Sequence, residues 1–267
     1  TPHSRLSRSI VLSFPKDKSN KSWIQEIGID AHFNPSRIAL ADLHYFMEIP
    51  DYKDLSLVIR GHVFGDANHL QGEDLSLLTQ SGSMLSGELS LRNLKDPTNT
   101  FIFADLQALR ASAQQVEPWL MGLTLPSSLY QLGDVFFQGK FIGFPKDFVA
   151  YGNGSTAIGT FTTDLNVKLP NTKNTPAQYT GNLQLERFHV GQFLSVPEEF
   201  GVTSLSVSLQ GEGFDLENIE AQLEGKIDSF EFRGYPLHDF SLNGTVKDRF
   251  FSGHFTANDP TLKAEFN

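Results

Sequence analysis

The sequence predicts an all-β protein, a long folded-over β-sheet of repeated short strands with one or two short helices. Three features of the 267-residue chain carry that expectation: strict apolar/polar alternation over many segments, glycines recurring just before or inside those segments, and a sparse helical pattern. The glycines (Gly61, Gly72, Gly87, Gly139, Gly159, Gly181, Gly211, Gly225, Gly244 and Gly253 among them) fall at a spacing of roughly 10–20 residues, which marks short strands joined by turns rather than strand–helix–strand units.

Along the chain, the polar stretch 16–22 reads as a loop. Leu106, Leu109, Ala113 and Val116 recur at helical spacing and stop before Pro118, which predicts a helix over 105–116. The clearest strand is 159–168, with Phe161, Thr163, Leu165 and Val167 on one face and Thr160, Thr162, Asp164, Asn166 and Lys168 on the other. Residues 171–177 read as a hinge, dividing the chain into an N-terminal part of the sheet, 1–170, and a C-terminal part, 171–267. Strands then follow at 181–186 (Leu183, Leu185 inward), 204–210 (Leu205, Val207, Leu209 inward), 219–227 (Ile219, Ala221, Leu223, Ile227 inward) and 240–246 (Phe240, Leu242, Val246 inward). One helical turn fits within 190–196, before Pro197. After Ile227 the apolar parity flips to Phe230 and Phe232, which places a bulge or corner at Asp228-Ser229. Phe251, Phe255, Leu262 and Phe266 complete the inward set.

A many-stranded sheet with one polar and one apolar face must close into a barrel, pair into a sandwich, or curl into a trough. Periodicity alone leaves all three open. Of the 31 aromatic residues 23 are Phe, against 6 Tyr and 2 Trp. Phe has no polar handle and prefers wholly apolar surroundings, so this bias disfavours the exposed Tyr and Trp platforms of a carbohydrate-binding or adhesive repeat. A net charge of −10 repels phosphate backbones and makes nucleic acid an unexpected partner. The chain has no cysteine, which removes disulfides, thiol nucleophiles and cysteine zinc sites. It opens on Thr1 and stops within an alternating pattern, so it reads as an internal piece of a longer protein. No apolar run approaches the roughly 20 residues a membrane-spanning helix needs.

Catalytic patterns are missing. The run from Gly133 to Lys140 is one residue too long for a phosphate loop, and Phe141 stands where a magnesium-binding hydroxyl belongs. The eight histidines show no ligand spacing; the one local cluster, His62, Asp66, His69 and Asp74, reads as a solvated loop, and no metal or cofactor is expected. Glu217, Glu220, Glu224 and Asp228 read as a solvated face rather than paired glycosidase carboxylates. The expectation is a non-enzyme.

The succession Tyr179-Thr-Gly181-Asn-Leu183, Phe188-His-Val-Gly191-Gln-Phe-Leu194, Gly211-Glu-Gly213-Phe214, Leu223-Glu-Gly225-Lys-Ile227, Phe232-Arg-Gly234-Tyr235, Leu242-Asn-Gly244, Phe251-Ser-Gly253-His-Phe255 and Asn258-Asp259-Pro260-Thr-Leu262 resembles the AsmA-like/TamB family of Gram-negative bacteria, in its Bacteroidetes-type form. Upstream, Leu85-Ser-Gly87-Glu-Leu89, Gly133 to Gly143 and Gly159-Thr-Phe161 are similar to a preceding repeat, so the likeness covers roughly residues 50–267. Thr261 departs from it, standing where the pattern has Asn. The resemblance implies a folded-over sheet with an apolar inner trough, in a periplasmic protein anchored in the inner membrane. It also implies transport of phospholipids between the inner and outer membranes in outer-membrane biogenesis. The partners implied are phospholipid acyl chains and an outer-membrane barrel protein, and the alternative function is a scaffold for outer-membrane protein assembly. The expected groove lining is Phe161, Leu165, Val167, Leu183, Leu185, Leu205, Val207, Leu209, Leu223, Ile227, Phe240, Leu242, Val246, Phe251, Phe255, Leu262 and Phe266.

Overall fold

The structure, a computed structural model, describes residues 4–6, 9–15, 27–43, 55–117, 125–170, 175–214, 219–248, 250–259 and 263–266. The loop expected at 16–22 and Leu262 lie outside these residues, as does the side chain of Phe266. Two compact units make up the chain: Thr1–Leu123 with Gln138–Pro145, and Thr124–Phe137 with Lys146–Asn267. Both are all-β and antiparallel, with strands pairing in chain order.

In the first unit β1 (Ile10–Ser13), β2 (Gly28–Ala39), β3 (Ser56–Gly65), β4 (His69–Thr79), β5 (Met84–Arg92) and β6 (Phe101–Ala111) form a meander. Single helical turns, α1 (Leu40–Leu43) and α2 (Ala113–Val116), follow β2 and β6. The strand β7 (Val135–Phe144) contributes residues to both units. Alternation places Ala31, Phe33, Ile59 and Leu75 in a buried cluster, with Ile29, Leu57, Val63, Leu77 and Leu89 packed around it. The intervening side chains of β2, among them Asp30 and His32, point to solvent.

In the second unit β8 (Asp147–Thr156), β9 (Gly159–Lys168), β10 (Gln178–His189), β11 (Phe200–Glu212), β12 (Glu220–Phe232), β13 (Tyr235–Lys247), β14 (Phe250–Asn258) and β15 (Lys263–Phe266) run as one antiparallel meander. Of the expected hinge 171–177, residues 171–174 lie outside the described residues; β9 and β10, on either side of it, pair from Glu186↔Thr160 to Gln178↔Lys168 inside this unit. The helical turn expected in 190–196 forms as α3 (Val190–Phe193). His189 caps it, its Nδ1 accepting from the Gln192 amide at 3.2 Å.

Register slips punctuate both meanders. One extra residue enters β2 between Phe33 and Ser36, β4 around Asp74, β6 at Gln107, β10 between Leu185 and Phe188, and β12 at Asp228; β11 carries another between Phe200 and Thr203. Asp74 and Arg187 have φ of 50° and 49°, the left-handed conformation in which a bulge absorbs its surplus residue. Pro35 sits within the β2 slip, where the ladder has no use for its missing N–H. The bulge at Asp228 confirms the corner read from the parity flip after Ile227.

The expected helix over 105–116 is corrected: residues up to Ala111 are strand β6, and only Ala113–Val116 is helical. The bulge at Gln107 explains the misreading. Leu106 faces inward, the surplus residue shifts the parity, and Leu109 returns to the inner face three positions later, a strand spacing that imitates a helix.

Candidate functional site

Cross-strand partners share a face of a sheet, so the register of the second unit determines which side chains lie together. Four rows result. The first runs Gly154, Phe161, Leu185, Leu205, Ile227, Phe240, Ala257; the second Gly152, Thr163, Leu183, Val207, Gly225, Leu242, Phe255, Phe266. A third runs Ala150, Leu165, Gly181, Leu209, Leu223, Gly244, Gly253, and the fourth Phe148, Val167, Tyr179, Gly211, Ala221, Val246, Phe251. Every expected lining residue within the described residues falls in one of these rows, on one face.

The burial of that face decides what it is. Of the fifteen expected lining residues whose side chains are described, only Val207 (8% exposed) and Phe240 (3%) are buried; Phe251 is 40% exposed, and the other twelve are half-buried. A second layer packed on the face would drive most of these side chains to the burial of Phe240. The face is therefore partly open to solvent rather than sealed like a sandwich core.

Glycine is interleaved with bulk in each row, and the two act together. A Cβ at Gly154 would run into the ring of Phe161, and one at Gly244 would meet the Phe251 ring at 2.7 Å, so the Phe161 ring fills the space beside its cross-strand partner Gly154 and the Phe251 ring that beside its diagonal neighbour Gly244. Phe240 and Phe255 stack at 5.1 Å, and Phe137 and Phe161 at 6.3 Å. The lining is consequently a smooth hydrocarbon surface with few groups that can form hydrogen bonds.

Thr163 and Tyr179 are the polar side chains in the rows: Thr163 is buried and donates to the Ala150 carbonyl at 3.4 Å, and Tyr179 is 6% exposed with its ring stacked on Phe214 at 5.1 Å. Burial, with a smaller contribution from the charge of Glu212, pushes its hydroxyl pKa up to about 12. It stays neutral and does not disturb the apolar character of the face.

The opposite face is polar and wet. Ser208 and Asn182 are linked at 2.6 Å, Thr162 donates to Asn153 at 3.1 Å, and Lys247 pairs with Glu220 at 2.6 Å, an interaction that raises the Lys247 pKa. A depression of about 650 Å³ opens there, lined by amides and hydroxyls that include Asn166, Gln178, Thr180, Gln210 and Gln222. Glu220, Glu224 and Asp228 are exposed, as a solvated face requires; Glu217 lies outside the described residues.

The sequence cluster His62, Asp66, His69 and Asp74 is dispersed. Asp66 accepts from the amides of Asn68 and His69, His69 reaches Ser90 at 3.0 Å, and His62 turns instead to Asp30, 2.9 Å away on β2. No sequence spacing joins residues 30 and 62, so this grouping was visible only once the strands were paired. Comparison with protein-family models, curated proteins and solved structures gives no match to the chain. What defines the second unit is its class: an open antiparallel sheet with one polar face and one partly exposed apolar face.

Proposed function

We propose that the apolar face of the second unit carries phospholipid acyl chains, as a segment of a periplasmic AsmA-like/TamB-type protein that moves lipid between the inner and outer membranes. The observation supporting this reading is the half-buried state of twelve of the fifteen lining side chains, which leaves apolar surface along the rows within reach of solvent. The chemistry of that surface selects its occupant. A peptide laid on it would find few partners for its backbone groups, whereas an acyl chain has none to satisfy and gains about 0.8 kcal/mol per buried CH₂.

Scale agrees as well. The second row crosses eight strands, a path of roughly 35 Å at the spacing of neighbouring strands, while the hydrocarbon core of a bilayer, two acyl chains end to end, is about 30 Å thick. Repetition of the same side-chain types along each row gives no deep trap, so a bound chain can slide, and the wet opposite face keeps the sheet soluble.

The test is native mass spectrometry with lipid extraction on the chain purified from a Gram-negative host. Wild type is expected to carry phospholipid, and the variant Leu185→Asp with Leu223→Asp, both half-buried, is expected to lose it while keeping the wild-type circular dichroism. A lipid-free wild type, or a folded double variant that retains its lipid, would overturn the proposal and favour the assembly-scaffold alternative.

A further inference from the structure

The first unit carries a cluster that the lipid reading leaves unused. His32, His62 and Glu73 are direct cross-strand neighbours on β2, β3 and β4, and Asp30 lies one outward position along β2 from His32. All four project from the polar face, away from the cluster of Ala31, Phe33, Ile59 and Leu75. The imidazoles of His32 and His62 stack at 3.9 Å with their planes 10° apart. Ligand atoms of Asp30, His32 and His62 lie within 4.8 Å of one another.

The two nitrogens of His62 face different carboxylates. Its Nε2 is 2.9 Å from Asp30 Oδ1, and its Nδ1 is 3.7 Å from Glu73 Oε2. A metal-binding histidine generally directs one nitrogen at the ion and the other at a carboxylate that fixes the ring. Here Glu73 faces Nδ1 from 3.7 Å, while Asp30 is hydrogen-bonded to Nε2, the side on which an ion would replace that bond, and a ligand nitrogen of His32 lies in the same group. Phe64 also stacks on the His62 ring at 4.7 Å, which further restricts its rotation.

We propose that Asp30, His32 and His62 form a binding site for a divalent transition-metal ion of the zinc class, with Glu73 orienting His62. Two imidazoles and a carboxylate suit zinc, copper or nickel far better than calcium or magnesium, which take oxygen ligands. Three protein ligands leave a coordination position for solvent. The site joins β2 to β3 directly, and through Glu73 it leans on β4, so a bound ion would act as a clip across the strands.

Isothermal titration of the chelator-treated 267-residue chain with Zn²⁺ tests this. Wild type is expected to bind one ion more tightly than roughly 10 μM, with His32→Gln and His62→Gln each weakening it by about tenfold or more, and His69→Gln leaving it unchanged. His32 and Asp30 are exposed, so His32→Gln and Asp30→Asn report on binding even where His62→Gln disturbs folding. Absence of a one-to-one event in wild type would overturn the site. So would affinity that survives both His32→Gln and Asp30→Asn, or that falls on His69→Gln instead.

Discussion

Replacing Phe240 and Leu223 by alanine, one at a time, measures directly whether the apolar face is open. Both residues are on that face, in the first and third rows, but Phe240 is 3% exposed and stacked on Phe255 while Leu223 is half-buried. Removing a fully buried phenylalanine costs about 3–5 kcal/mol, because the lost transfer energy is joined by the cavity left behind. Full burial of a leucine is worth about 1.5–3 kcal/mol, so half-burial at an open surface, with no cavity to create, puts Leu223→Ala near 1 kcal/mol. Loss of strand propensity on going to alanine affects both variants and largely cancels in the comparison. Urea unfolding followed by far-ultraviolet circular dichroism reads the difference, expected at about 2 kcal/mol or more. If Leu223→Ala is as costly as Phe240→Ala, the face is covered by another layer and the argument for an exposed lipid track fails.

Two further outcomes follow from particular residues. Gly181 has φ of 139°, and a Cβ there would collide with the carbonyl oxygen of Asp164, so Gly181→Ala is expected to destabilise the second unit by at least about 2 kcal/mol in the same assay; a change within 0.5 kcal/mol of zero, roughly the scatter of neutral surface substitutions, would contradict the close approach of β9 and β10. Tyr179 ionises near pH 12 folded against 10.0 unfolded, so between those values the folded chain holds the extra proton and stability falls as pH rises, by on the order of 2 kcal/mol. Tyr179→Phe should remove that share of the alkaline loss, and an unchanged pH profile in the variant would refute the assignment.

How legible this was in the sequence depends on what each signal measures. Alternation reports a strand facing solvent on one side, and it gave β9 its bounds, Gly159–Lys168, because nothing interrupts the period there. It also grouped Leu183 with Val207 and Leu242, since inward parity survives hairpin after hairpin. The helix read over 105–116 failed where a bulge at Gln107 turned a spacing of two into three. At Asp228 the same device was recognised, because Phe230 and Phe232 follow in clear alternation. Exposure of the apolar face was not legible at all: a leucine covered by a second sheet and a leucine facing water give the same pattern. Nor was the pairing of His32 with His62, which depends on strand register across the 29 residues between them.

Strictly sequential pairing also shapes how such a chain folds and how it fails. Each strand of the second unit finds its partners immediately before and after it, so ordering can spread hairpin by hairpin without first closing a long loop. Energetically the meander approaches a one-dimensional array, in which a lesion in one hairpin weakens its neighbours and fades with distance. A sheet organised this way can be lengthened or shortened by whole hairpins while the remaining rows keep their register, which makes its span a quantity that duplication and deletion can adjust.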